Sequence, residues 1–225
     1  MLRALIFDFD GVIADNEPVH LLMFRKVLIR FGIALSQEDY YATYLGMDDR
    51  GCFSTILKRH GKNPSPSEIE TLIQEKTRYF TEHIKTHLVI FPGVVSFIEA
   101  ASQKYPLAIA SGALRHEIEM ILKTAKIRDR FQTIVSAEDV AEGKPDPEGF
   151  LKALARLKEI TSKMLRADEC LVIEDSLAGL EGAKKAGMQV LAVTHTYPRE
   201  KLSDANLIVN NLEECRLEDI EKLFN

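Results

Sequence analysis

The sequence predicts a doubly wound parallel α/β fold with a small helical cap domain inserted after the first strand, and three observations carry that prediction. Short apolar runs stand at 3–9, 107–110, 133–135, 170–173, 190–193 and 207–209, each of a length and composition that suits a strand buried on both faces. Helical patterns separate the later runs, as in a parallel sheet covered on both sides. Between the first run and residue 88, no convincing strand occurs.

The first run, Arg-Ala-Leu-Ile-Phe-Asp-Phe, ends at an acidic turn containing Gly11. The stretch that follows holds several amphipathic helical segments. Ser65-Pro66-Ser67-Glu68 places Ser at the N-cap, Pro at N1 and Glu at N3, a capping box that opens a helix through about Lys85. Strand–helix alternation resumes near Phe91-Pro92-Gly93. Ile118, Ile121, Leu122 and Ala125 share one helical face, and Phe150, Leu151, Leu154 and Leu157 share another. The expected division is a catalytic core of 1–16 with 89–225, and a helical cap of 17–88.

Composition limits the function. The 225 residues are 46% hydrophobic and 28% charged, enough to bury a core. A net charge of −5 argues against a nucleic-acid partner, which needs a basic stripe. A phosphate substrate stays open, because a site needs only local cations and a metal. Cys52, Cys170 and Cys215 are odd in number and far apart, which fits neither a disulfide framework nor a zinc site and indicates a reducing cytoplasm. No secretory segment or membrane span is legible. A monomer acting without a membrane is expected.

Four strand ends carry polar groups. Asp8 and Asp10 are two apart, so both carboxylates leave the first strand on one side. They are either chance acids on a solvated turn or a nucleophile with a proton donor. Ser111-Gly112 closes the second run, as an ordinary helix cap or as hydroxyl and N–H donors for phosphate. Lys144, in Gly143-Lys144-Pro145-Asp146-Pro147, is either a surface charge or a cation for a transferring phosphoryl group. Asp146 and Pro147 fit the start of the next helix. Glu174-Asp175-Ser176 closes the fourth core run as a dipole-satisfying acidic cap or as oxygen ligands for magnesium. Gly179, Gly182 and Ala183 would let the following helix approach the sheet. Together, two acids, a hydroxyl, a lysine and an acid pair on one sheet edge match phosphoryl transfer.

These residues resemble the haloacid dehalogenase superfamily. Its four motifs look like Asp8-x-Asp10-Gly11-Val12-Ile13-x-Asp15, Ser111-Gly112, Lys144-Pro145, and Glu174-Asp175-Ser176 followed by Gly179. The subgroup most similar is that of the β-phosphoglucomutase-like phosphatases. The resemblance implies a Rossmann-like core with a helical cap, an aspartyl-phosphate on Asp8, and Asp10 as acid/base. It implies Mg2+ held by the Asp8 and Asp175 side chains and the Asp10 carbonyl, with Glu174 as a ligand or a supporting group. Ser111, Gly112 and Lys144 would hold the phosphoryl group. Glu17, His20, Arg50, Lys76 and Arg115 are candidates for substrate contact, although His20 also reads as a helix-face histidine.

Two departures weaken a mutase reading. Arg115 stands where mutase-type proteins tend to carry Asn, and Arg50 falls one residue late after Gly46. The expected activity is a phosphatase acting on a small phosphomonoester, of sugar phosphate or phosphoglycolate type. The alternatives are a sugar phosphomutase and a non-catalytic phosphate-binding module. Asp10 speaks against dehalogenation, because halide leaves without a proton donor.

Overall fold

Ala4-Leu5-Ile6-Phe7 form β1, with all four residues buried, which is why the run lacks polar alternation. The other strands are β2 (Leu107–Ala110), β3 (Phe131–Val135), β4 (Cys170–Glu174), β5 (Gln189–Val193) and β6 (Leu207–Val209). The helices are α1 (Glu17–Leu28), α2 (Gln37–Asp39), α3 (Asp49–Arg59), α4 (Pro66–Ile84) and α5 (Val94–Lys104). Then follow α6 (Arg115–Thr124), α7 (Glu148–Thr161), α8 (Leu177–Lys185) and α9 (Leu217–Glu221). This computed structural model describes residues 1–45, 47–87, 90–162 and 164–224. Gly46, the reference point for Arg50, lies outside the described residues, as do Leu88 and Val89 at the second expected boundary.

Two units separate, Met1–Asp15 with Val89–Asn225, and Asn16–Leu88. In the first, six strands form one sheet in the order β3-β2-β1-β4-β5-β6, with every pairing parallel. The order reverses at β1, so the crevice beyond the strand ends falls beside it. Phe7 pairs with Ile109 on one side and Ile173 on the other. On one face, Ile6, Val172 and Val190 pack with Phe150, Leu154 and Leu157 of α7 and Leu180 and Ala183 of α8. Leu151 does not share that face. It is 43% exposed, because the apolar stripe runs 150, 153, 154, 157 and residue 151 lies about 100° off its leading edge. Ala125 is the C-cap of α6 and only half-buried, while Ile118, Ile121 and Leu122 are buried.

The helical unit has its own core. Phe24, Val27 and Leu28 of α1 meet Phe53, Ile56 and Leu57 of α3 and Ile69 and Leu72 of α4. The capping box forms as expected: Ser65 accepts from the Glu68 N–H, and the Glu68 carboxylate accepts from the Ser65 N–H at 2.7 Å. The buried stripe of α4 reads Ile69, Leu72, Lys76, Phe80 and Ile84, a repeat of three and four that places a lysine in a core position. The unit contains no strand among its described residues. No helix of the described residues is long and apolar enough to cross a membrane.

Candidate active site

Asp8 follows β1 directly, and its N–H donates to Ile173 O at 2.9 Å, which places its carboxyl beside the end of β4. Lys144 arrives from the loop between β3 and α7. Its ammonium lies 2.8 Å from Asp8 Oδ1 and also pairs with Glu174 Oε1. Carboxylate oxygens of Asp8, Glu174 and Asp175 lie within 4.8 Å of one another, the one such acidic, histidine or cysteine group of three found among the described residues. All three are buried.

Three acids thus face one ammonium out of water, and their proton affinities respond. Burial, then the charge of Glu174, pushes Asp8 up to about 7 although Lys144 opposes it. Burial, then Glu174 and Asp8, pushes Asp175 well above the usual carboxylate range. Glu174 goes the other way: burial works against its charge, but Lys144 and the Ser176 donors outweigh it. Lys144 likewise holds its proton more tightly than usual, because Asp8 and Glu174 outweigh its burial.

The arrangement fits a divalent cation. The donors are all oxygen, and the buried cluster carries more negative than positive charge, as a magnesium site with water and phosphate as remaining ligands requires. The backbone makes room for the acids. A Cβ on Gly11 (φ +79°) would stand 1.9 Å from Asp175 Oδ2, and one on Gly179 would stand 1.8 Å from Glu174 Oε1. Gly179 therefore admits a carboxylate at the start of α8, and Gly182 admits Phe150, 3.3 Å from its would-be Cβ. Gly179 thus makes the close approach to the sheet expected of it, through Glu174 at the end of β4, whereas Gly182 meets Phe150 of α7 instead of a strand. Both Glu174 oxygens are already engaged, Oε1 by Lys144 and Oε2 by the Asp175 N–H (2.9 Å), the Ser176 N–H (3.0 Å) and the Ser176 hydroxyl (3.0 Å).

The other expected core residues are distributed as follows. Asp10 is half-buried, and its backbone bridges to Ala14; its side chain is outside the three-carboxylate group. Ser111 is buried at the end of β2, and its hydroxyl accepts from the Ala113 N–H at 3.1 Å. That bond closes a local turn, and the cap position of α6 is Leu114. Gly112 is exposed beside it. Asp146 accepts from the Glu148 N–H at 2.9 Å, while Pro147 takes the cap position of α7. The Arg115 guanidinium pairs with Asp139 and donates to Ile134 O at 3.1 Å.

In the helical unit, Glu17 accepts from Tyr40 OH at 2.8 Å. Lys76 is buried, pairs with Asp49, and points its ammonium at His20 Nδ1, 2.9 Å away. An ammonium only donates, so His20 Nδ1 accepts and Nε2 carries the proton. Burial, then the Lys76 charge, holds His20 well below its ordinary value, and its ring stacks on Phe80 at 4.6 Å. Arg50 is exposed and pairs with Glu70 at 2.8 Å.

Two residues of the core site were not legible in the sequence. Thr196, on the loop after β5, donates its hydroxyl to Asp175 Oδ2. His195 donates Nδ1–H to Gly11 O at 2.7 Å and stacks on Phe91. No local pattern marks either of them.

A nucleophile-bearing strand end, a half-buried lysine and an acid pair at the switch point of a parallel sheet define a metal-dependent phosphoryl-transfer enzyme. The chain belongs to the haloacid dehalogenase-like hydrolases, whose family model matches residues 5–193. It is 30% identical to protein CbbY of Rhodobacter capsulatus over 99% of each chain. It is also 30% identical to a phosphorylated carbohydrates phosphatase of Thermotoga maritima, over 87% of each. Among solved structures, a β-phosphoglucomutase of Clostridium difficile superposes with a TM-score of 0.87 at 27% identity, covering 100% of this chain and 98% of that one.

Proposed function

We propose that this chain is a magnesium-dependent phosphatase that hydrolyses a small phosphorylated metabolite through an aspartyl-phosphate on Asp8. The observation that carries this reading is the Asp8 carboxylate, held 2.8 Å from the Lys144 ammonium beside the Glu174–Asp175 pair. Asp8 and Asp175 would hold Mg2+, with the Asp10 carbonyl completing the protein's ligands. Glu174, whose oxygens are engaged elsewhere, orients Lys144 and the start of α8. Bound magnesium supplies charge neutralisation, which lets an anionic nucleophile meet an anionic phosphoryl group.

An oxygen of Asp8 attacks phosphorus while Asp10 gives its proton to the departing alkoxide. Asp10, now ionised, takes a proton from water as that water attacks phosphorus, releasing orthophosphate and restoring the Asp8 carboxylate. Lys144, Ser111 and Gly112 hold the phosphoryl oxygens. These groups meet only what all phosphomonoesters share. Selectivity is therefore assigned to Glu17, His20, Arg50, Lys76 and Arg115, and the substrate to a sugar phosphate or phosphoglycolate type. The phosphatase named among the relatives acts on phosphorylated carbohydrates, which supports the sugar phosphate.

The mutase reading shares every step up to the fate of the phosphoryl group. A panel of phosphorylated metabolites, assayed for both orthophosphate and isomerised product, separates the two, and stoichiometric orthophosphate is expected. The same reading takes the enzyme to be monomeric and cytoplasmic, on its acidic charge and its three free cysteines. Light scattering at assay concentration tests the first of these.

A further inference from the structure

We infer that Thr196 is a positioning residue for the metal-binding carboxylate of Asp175, and that His195 anchors the loop that delivers it. This deepens the magnesium reading and rests on it. The argument is geometric. Asp175 Oδ2 lies 1.9 Å from where a side chain at residue 11 would begin, so the carboxylate rests directly on the Gly11 turn. The Thr196 hydroxyl donates to that same oxygen. The preceding residue, His195, donates to the carbonyl of Gly11 itself at 2.7 Å. Its ring lies on Phe91, 3.8 Å between centroids at 13°, and the Phe91 N–H holds Ile13 O at 3.2 Å.

Gly11, Asp175, Thr196 and His195 thus close a ring made of one van der Waals contact, two hydrogen bonds and one peptide bond. The loop after β5 binds the acid on one side and the turn following Asp10 on the other. Such a bond has consequences for a cation. A buried carboxylate facing Glu174 and Asp8 is repelled toward other rotamers, and the Thr196 hydroxyl holds it in one. Each carboxylate oxygen has more than one lone-pair direction, so accepting the hydroxyl leaves capacity for a metal. Partners that orient metal ligands commonly contribute about ten- to hundredfold in metal affinity.

Titration calorimetry of the full chain with Mg2+ tests this, alongside the Tm of each metal-free protein. Thr196→Val keeps the shape and removes the donor. It should weaken Mg2+ binding about tenfold or more with little change in metal-free Tm, while Thr196→Ser should restore affinity to within about threefold. His195→Ala should weaken binding in the same direction, and the double variant should be no worse than Thr196→Val alone, as coupled sites behave. If the valine variant did not fold, Thr196→Ala would carry the same test, because the residue is only half-buried.

Mg2+ affinity within about twofold of wild type in the valine or alanine variant would overturn the positioning role. An equal loss in the serine variant would overturn the hydroxyl as its cause. Additive losses would overturn the linkage of His195 to Thr196. A wild-type chain that bound no Mg2+ would instead sink the magnesium reading beneath this inference.

Discussion

Each unit of this protein packs a lysine against acid, Lys76 fully buried and Lys144 half-buried, and the two lysines sit in opposite circumstances. In the core, Lys144 faces Asp8 and Glu174, with Asp175 close by: three acids against one base. In the helical unit, Lys76 faces Asp49 and a histidine that stays neutral: one acid against one base. Burying charge is tolerable only when it is paired. The helical cluster is complete as it stands, whereas the core cluster, without a further cation, relieves its excess acid by holding protons on Asp8 and Asp175. Excess buried acid marks a site that recruits a cation, and balanced buried charge marks one that needs no further ion.

The largest effect expected from breaking this contrast is on turnover. Asp8→Asn removes the attacking oxygen's charge and should lower kcat on the order of 10⁴-fold or more without altering the circular dichroism spectrum. Activity near wild type on p-nitrophenyl phosphate would dismiss Asp8 as nucleophile. Lys144→Ala should cost roughly 10²–10³-fold in kcat, equally for p-nitrophenyl phosphate and for the best metabolite. It also leaves the acids unopposed, so the rise in Tm produced by Mg2+ should be larger than in wild type. His20→Ala and Arg50→Ala should instead depress the metabolite alone, and a shared substrate profile with Lys144→Ala would remove the division between chemistry and selectivity.

Stability responds next. Lys76→Met leaves Asp49 without its partner, and breaking a buried pair typically costs about 3–5 kcal/mol. Asp49 keeps some solvent contact at 19% side-chain exposure, so the low end is expected in urea unfolding, with no Mg2+ dependence. A loss that Mg2+ reversed would show that the helical cluster is not self-sufficient.

The two clusters should also titrate in opposite senses. Asp8 in the metal-free fold holds its proton up to about pH 7. The stability it contributes is therefore complete below its unfolded value of 3.8 and is lost as pH rises through about 7. Magnesium needs the carboxylate, so Mg2+ affinity should fall below pH 7 by up to about tenfold per unit. His20 is depressed below 6.5, so its contribution is present above 6.5 and is lost as pH falls below it. Between pH 3.8 and 6.5, metal-free Tm should rise with pH more steeply than in wild type for Asp8→Asn and less steeply for His20→Gln. A change of slope in the same direction in both variants would refute the contrast. The smallest effect is expected at the capping box, where Ser65→Ala should cost about 1 kcal/mol in urea unfolding and leave p-nitrophenyl phosphate turnover unchanged.

Much of this site was legible because its signals are local. A strand buried on both faces is written as an uninterrupted apolar run, so the ends of β1, β2 and β4, with Asp8, Ser111 and Glu174 at them, could be read directly. The capping box at Ser65 and Glu68 spans three residues and is likewise complete in the sequence. Lys144 needed the neighbouring motifs to distinguish it from a surface charge, and its pairing with both Asp8 and Glu174 appears only in three dimensions.

What the sequence determined by itself, then, is the order of strands and helices, the helical insertion, and the residue types brought to the strand ends, since each depends on neighbours within about one helical turn or one strand. The tertiary structure decided which of those groups share a charge. It also decided that Gly179 makes room for a carboxylate, that Leu151 turns outward, and that Lys76 lies buried beside His20. It alone could supply Thr196 and His195, whose partners lie 21 and 184 residues away. Contacts at such separations follow from how the sheet is wound, and no periodicity of two or of three and a half residues encodes them.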